Sequence, residues 1–140
     1  VRFGDPEAQV ILPRLRGNFA EILMEAAEGN LSTAPTVDDD AMVTVVLASA
    51  GYPSKPTTGH VILGVDAALA IDGASVYFAG VDKNENGELI TNGGRVLNVC
   101  GRASSLEKAR AIAYQAVELI SWEGMQYRTD IGASVQTEID

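Results

Sequence analysis

The sequence predicts an α+β fold, in which short helices are followed by a small, mostly antiparallel β-sheet covered by one further helix. Three observations carry that reading. Apolar residues recur at helical spacing through 19–26 and again from Leu106 to Ile120. Between those stretches lie short runs rich in β-branched and aromatic residues, and turn-forming Gly, Asn and Pro separate the runs.

Taken in order, VRFGDPEAQVILPRL reads as a strand end, a glycine turn and a helix. Asp5 is placed to cap that helix, and Pro6 suits its first position, where no amide hydrogen is needed. Gly17 interrupts the pattern. Asn18, with Glu21 three residues on, marks a second helix start; Phe19, Ile22, Leu23 and Ala26 line one face, and Gly29 ends it. Residues 30–40 hold Pro35 and three consecutive acids without an apolar period, so a linker is expected there. Strands are expected at 42–49, 60–65, 75–81, 88–92 and 95–100. Ser104-Ser105-Leu106-Glu107 reads as a capping box, and Leu106, Ala109, Ala113, Ala116, Val117 and Ile120 form the face of a helix that covers the sheet. Trp122, Met125 and Tyr127 are expected to pack the end of this helix onto the sheet, and Arg128 to pair with Asp130.

A length of 140 residues is about one domain, with 46% hydrophobic and 21% charged residues as in an ordinary globular chain. The net charge of −9 opposes a phosphate backbone, so no nucleic-acid or membrane partner is expected and any anion site must be a local pocket. The one cysteine, Cys100, lies in an apolar run and reads as a reduced core residue, which suits the cytoplasm. No run is long and apolar enough to span a membrane. The chain opens at Val1 on what looks like the end of a strand, and a piece of a longer protein is expected.

The stretch DKNENGELITNGGRV at 82–96 holds the most chemistry. Its first half places Asp82, Asn84, Asn86 and Gly87 as a calcium loop would, but the twelfth position is Gly93 and the flanks read as strands. A hairpin turn at Asn86-Gly87 explains it better. In the second half, two consecutive glycines cost backbone entropy and pack nothing, so they mark either a bend or a close approach to a ligand. Arg95 beside them offers a permanently charged fork suited to phosphate or carboxylate. Arg2, just ahead of a helix start, poses the same choice between a surface charge and an anion pocket. His60 has no Cys or His close by in sequence and reads as structural.

VRFGDPEAQVILPRL, LASAGYP, the run from Gly59 to Gly64, TNGGRVLNV and GMQYRTDIG together resemble the glycinamide ribonucleotide synthetase (phosphoribosylamine–glycine ligase) family, in the right order over nearly the whole chain. The resemblance implies an ATP-grasp ligase of de novo purine synthesis that joins glycine to 5-phosphoribosylamine through a glycyl phosphate. It implies the following organisation: residues 1–30 as the C-terminal end of the ATP-grasp domain, 31–41 as a linker, and 42–140 as the family's C-terminal domain. It implies ATP and Mg²⁺ (or Mn²⁺) in the full-length enzyme, held by residues upstream of Val1. This chain alone would bind neither and be inactive, and the parent enzyme would be a cytoplasmic monomer acting on small molecules. By the same resemblance Arg2 is the catalytic arginine facing the acyl phosphate or ribosylamine phosphate. Asp5, Gly93, Gly94 and Arg95 are then substrate-binding, the last three as a cradle for the ribose phosphate. Ala50, His60 and the loop 54–58 depart from the family pattern. A stand-alone binding domain and another ATP-grasp enzyme, such as a biotin-dependent carboxylase, are the alternatives; the RFGDPE and TNGGRV pair argues against the second.

Overall fold

The computed structural model describes residues 4–133. Among them the chain forms a three-stranded antiparallel sheet with a long helix on one face, preceded by short helices and accompanied by two small ribbons. The sheet is β3 (Ala41–Ala48), β4 (Ala74–Phe78) and β7 (Arg95–Ala103), ordered β3-β7-β4 with β7 at the centre.

The covering helix, α4 (Leu106–Leu119), lays Ala109, Ala113, Ala116 and Val117 against Val43, Val45, Leu47, Leu97 and Val99. Each buried Val or Leu side chain here contributes roughly 1.5–3 kcal/mol. Gly101 lets the helix come this close, because a Cβ there would lie 2.1 Å from the Ala109 carbonyl oxygen. The helix start differs from the predicted box: Ser105, not Ser104, is the cap, its side chain accepting from Lys108 N–H at 3.3 Å. Leu106 consequently falls outside the buried stripe and is 50% exposed.

On the opposite face, α1 (Ala8–Ile11) lies over the row Thr44–Cys100, where the Cys100 thiol approaches Thr44 Oγ1 at 3.1 Å and the Gln9 carbonyl at 3.8 Å. Burial pushes the Cys100 thiol up to about 11, in line with the expected core role. The helix does not begin at Pro6. Asp5 makes no cap, Glu7 is the N-cap residue without a side-chain bond, and the Asp5 carboxylate is engaged elsewhere.

A 3-10 turn, Leu12–Arg14, leads to β1 (Leu15–Arg16), and α2 (Phe19–Ala27) follows with its Asn18 cap as predicted, accepting from Glu21 N–H at 3.3 Å. The stretch read as a linker contains β2 (Thr36–Val37), paired with β1. It is tied down by charge: Asp38 pairs with Arg16 and Arg102, and Asp40 takes the Arg102 Nε at 2.9 Å.

Residues 60–65 are not a strand. Only single bridges form there, Val61 to Ile90 and Leu63 to Ser121, and Gly64 at φ +84° turns the chain into α3 (Val65–Leu69), a helix absent from the sequence reading. The β-branched residues pack inward from a loop: Ile62 and Val65 join the core. The expected strand at 75–81 is split between β4 and β5 (Val81–Lys83), which forms a hairpin with β6 (Leu89–Thr91). Trp122 and Met125 pack onto the core as predicted, whereas Tyr127 is 37% exposed. Arg128 and Asp130 form the expected pair, with Nε to Oδ1 at 2.9 Å.

Candidate functional site

The 82–96 stretch folds as two different devices. Its acidic half is the tip of the β5-β6 hairpin, where the Asn84 side-chain oxygen accepts from Asn86 N–H and Glu88 N–H, each at 3.0 Å. Gly87 N–H donates to the Asn84 carbonyl at 2.9 Å, and Gly87 alone takes a positive φ, +80°. The expected hairpin is thus present, with Asn86 and Gly87 inside a five-residue connection built by Asn84. Asp82 accepts from Lys83 N–H and from Asn92, so the loop's oxygen atoms serve the turn. Among the described residues no group of three or more His, Cys, Asp or Glu is arranged to hold a metal ion.

The glycine half joins β6 to β7 and is fixed from beneath by Ser49, a fully buried residue at the end of β3. Ser49 Oγ donates to the Gly93 carbonyl at 2.8 Å, and Ser49 N–H donates to the Gly94 carbonyl at 2.9 Å. In a trans peptide the carbonyl and the next N–H point in opposite directions, so the Gly94 N–H is turned away from Ser49. Neither Gly93 N–H nor Gly94 N–H finds an acceptor among the described residues.

Close packing explains why both positions are glycine. A Cβ on Gly93 would stand 3.0 Å from Gly80 Cα, and one on Gly94 would stand 2.5 Å from Tyr52 Cδ2. Tyr52, in the loop after β3, therefore covers Gly94 as the wall of the turn, and Gln126 holds that loop through the Tyr52 carbonyl at 3.2 Å.

Arg95 opens β7, and its side chain is 41% exposed. Its Nη1 donates to the Asp5 carbonyl at 2.9 Å, and its Nε lies 3.2 Å from Asp5 Oδ2. Both Nη2 hydrogens have no protein acceptor among the described residues. The structure thus brings Asp5, Gly93, Gly94 and Arg95 together from two segments 90 residues apart. Arg2 lies outside the described residues. His60 stands apart from this group, with Nδ1 3.4 Å from the exposed Glu123.

Sequence reasoning missed Ser49 and Gly80, and it did not connect Tyr52 of the LASAGYP motif, whose Gly51-Tyr52-Pro53 reads as a turn with an aromatic anchor, to Gly94. A signal existed for one of them: Ser49 is a lone polar residue closing an apolar strand, and a buried polar group must find partners. Gly80 carries no local signal, and the partner of the Tyr52 anchor is set only by what the fold places against it. Arg95, ion-paired with Asp5, keeps its Nη2 edge without a protein acceptor beside the glycine turn, in a chain whose net charge is −9.

Comparison with known proteins places the chain in a family. The family model described as phosphoribosylglycinamide synthetase, C domain, matches residues 42–134. The chain is 47% identical over 133 residues to a phosphoribosylamine–glycine ligase of Caulobacter vibrioides, covering 94% of this chain and 31% of that protein. It is 40% identical to the trifunctional purine biosynthetic protein adenosine-3 of Chironomus tentans, over 94% of this chain and 10% of that one. The crystal structure of a phosphoribosylamine–glycine ligase from Thermotoga maritima superposes with a TM-score of 0.78 at 36% identity, covering 93% of this chain and 31% of that chain. The chain therefore spans about a third of the length of the single-function relatives it matches. With its own antiparallel sheet and helix matching that C domain across two thirds of its length, the chain belongs to the phosphoribosylamine–glycine ligase family.

Proposed function

We propose that this chain is the C-terminal part of an ATP-dependent ligase that joins glycine to 5-phosphoribosylamine in de novo purine synthesis, and that it supplies the ribose-phosphate side of the cleft. The observation that carries the proposal is the pairing of two unspent amides, Gly93 and Gly94, with the free Nη2 edge of Arg95. A phosphate monoester presents three oxygens to such a set, and charge-assisted bonds from an arginine fork and backbone N–H groups are its usual partners.

In the whole reaction ATP activates the glycine carboxylate as glycyl phosphate, and the amine of phosphoribosylamine attacks the carbonyl carbon, expelling phosphate. The residues of this chain bind and orient. Arg95 and the two amides fix the phosphate end of the ribosylamine, which sets the distance of its amine from the activated glycine. Positioning of that kind accounts for much of the rate in such reactions. Arg2 is the residue proposed to face the acyl phosphate or the ribosylamine phosphate. Mg²⁺ (or Mn²⁺) and ATP are proposed to be held by residues upstream of Val1, and no step here runs through the ion. Residues 1–30 are proposed as the end of the ATP-grasp domain, joined through 31–41 to the C-terminal domain. No helix among the described residues is long and apolar enough to cross a membrane. The reading implies a monomeric enzyme of the cytoplasm, inactive as this piece alone.

Arg95→Ala in the full-length protein tests the reading. Loss of the fork should cost about 2–3 kcal/mol in kcat/KM for phosphoribosylamine, roughly 30- to 150-fold, with the KM for ATP unchanged. An equal loss in the KM for ATP would remove Arg95 from the phosphate site.

A further inference from the structure

Both carboxylate oxygens of Asp5 and its backbone carbonyl are engaged inside the chain. Oδ2 lies 3.2 Å from Arg95 Nε, the carbonyl accepts from Arg95 Nη1 at 2.9 Å, and Oδ1 accepts from Gln9 Nε2 at 2.8 Å. Gln9 belongs to α1, and its carbonyl faces the Cys100 thiol at 3.8 Å. The contacts close a ring: from Arg95 at the start of β7, through Asp5 and Gln9, and back to Cys100 farther along the same strand.

We infer that Asp5 is a positioning residue for Arg95, acting on the substrate phosphate only through the guanidinium it holds. This rests on the reading of Arg95 as a phosphate-binding residue. An unheld arginine must give up the freedom of a long side chain when it closes on an anion, and that loss is subtracted from binding. Here the loss is already incurred in folding, because Asp5 grips the guanidinium at Nε and Nη1 and leaves the Nη2 edge open. Gln9 fixes the carboxylate in turn, so α1 works as a brace between the turn at Asp5–Glu7 and the first residue of β7. Each carboxylate oxygen of Asp5 already has a partner within the chain, and direct contact between Asp5 and substrate is not needed.

The test is a double-mutant cycle in the full-length protein with Asp5→Asn, Arg95→Lys and the pair, reading kcat and KM for phosphoribosylamine together with the melting temperature. Asp5→Asn keeps the shape and removes the charge. It should raise KM about tenfold with kcat within about twofold, and should add nothing once Arg95 is lysine. Gln9→Met, which frees the carboxylate but leaves it charged, should move KM the same way by a smaller factor, and it serves if Asp5→Asn folds poorly. A fall in KM on Asp5→Asn would show that the carboxylate competes with the phosphate, and multiplying effects in the double variant would show that Asp5 touches substrate itself; either overturns the inference. If Arg95→Ala left KM for phosphoribosylamine unchanged, the phosphate reading of Arg95 would fail, whereas an unchanged KM in Asp5→Asn alone defeats only the role given to Asp5.

Discussion

Gly80 lies outside the sequence motif, yet the structure makes it the support of the glycine turn, and adding one methyl group there is a sharp perturbation. A Cβ on Gly80 would meet Gly93 Cα at 2.7 Å, the Arg95 carbonyl oxygen at 2.8 Å and Gly93 N at 2.9 Å. All three are backbone atoms, so no side chain can swing aside. Ordinary contact begins at 3.4 Å, and the difference, 3.4 − 2.7 = 0.7 Å, is the distance by which the two segments must separate. That separation pulls on the bonds that join them, Gly80 N–H to the Arg95 carbonyl at 2.9 Å and Asn92 N–H to the Gly80 carbonyl at 2.7 Å. Overpacking against a backbone that cannot yield costs about 2 kcal/mol. For a domain of this size that is a fall in melting temperature of about 6 °C. Urea denaturation of Gly80→Ala gives the free energy, and the amide resonances of Gly93 and Gly94 report the displacement. Gly87→Ala is the control: it meets nothing within 4 Å, so its cost is confined to its own φ of +80° and the amides of 93 and 94 should stay in place. A Gly80→Ala protein as stable as the parent chain, with both amides unmoved, would refute the claim that close backbone packing sets the turn.

Two further predictions concern charge. Arg16, hydrogen-bonded to Asp38 at 2.6 Å, together with Arg102, holds the Asp38 carboxyl below its usual range. A depressed folded-state value means that the stabilisation is present above the unfolded value, about pH 4, and is lost as pH falls through the folded one. Asp38→Asn should therefore be less stable than the parent at pH 7, and the gap should narrow progressively as pH falls below about 4; a gap unchanged with pH would rule out the ion pair as its origin. The Cys100 thiol, raised to about 11 by burial, should hold about one thiolate in a thousand at pH 8. Alkylation by iodoacetamide at that pH should follow unfolding, so that urea accelerates it sharply; equal rates in the folded and unfolded chain would contradict the buried environment.

Much of the scaffold was legible because it is locally encoded. Asn18 and the apolar period after it mark α2, alternation and β-branching mark β3 and β7, and the alanine stripe marks the face of α4. What failed did so where a distant partner decides. Asp5 reads as a helix cap only until Arg95 arrives from 90 positions away to take its carboxylate and carbonyl. The run 60–65 has strand composition, but its inward residues pack from single bridges, and Gly64 fits only because its missing Cβ leaves room for the Leu119 carbonyl, which such an atom would meet at 1.8 Å. The motif residues at 93–95 were visible in sequence, while the reason for their shape, Ser49 below, Gly80 alongside and Tyr52 above, appears only in the fold.

The central claim is that this chain by itself presents a phosphate cradle at Gly93, Gly94 and Arg95. Titrating the folded 140-residue chain with ribose 5-phosphate, observed by NMR at those amides and at the Arg95 Nε–H, tests it most directly. The account predicts saturable shifts concentrated at Gly93, Gly94 and Arg95, with ribose alone producing none. A folded chain in which these signals stay still, or move no more than those of the β5-β6 hairpin tip, would contradict it.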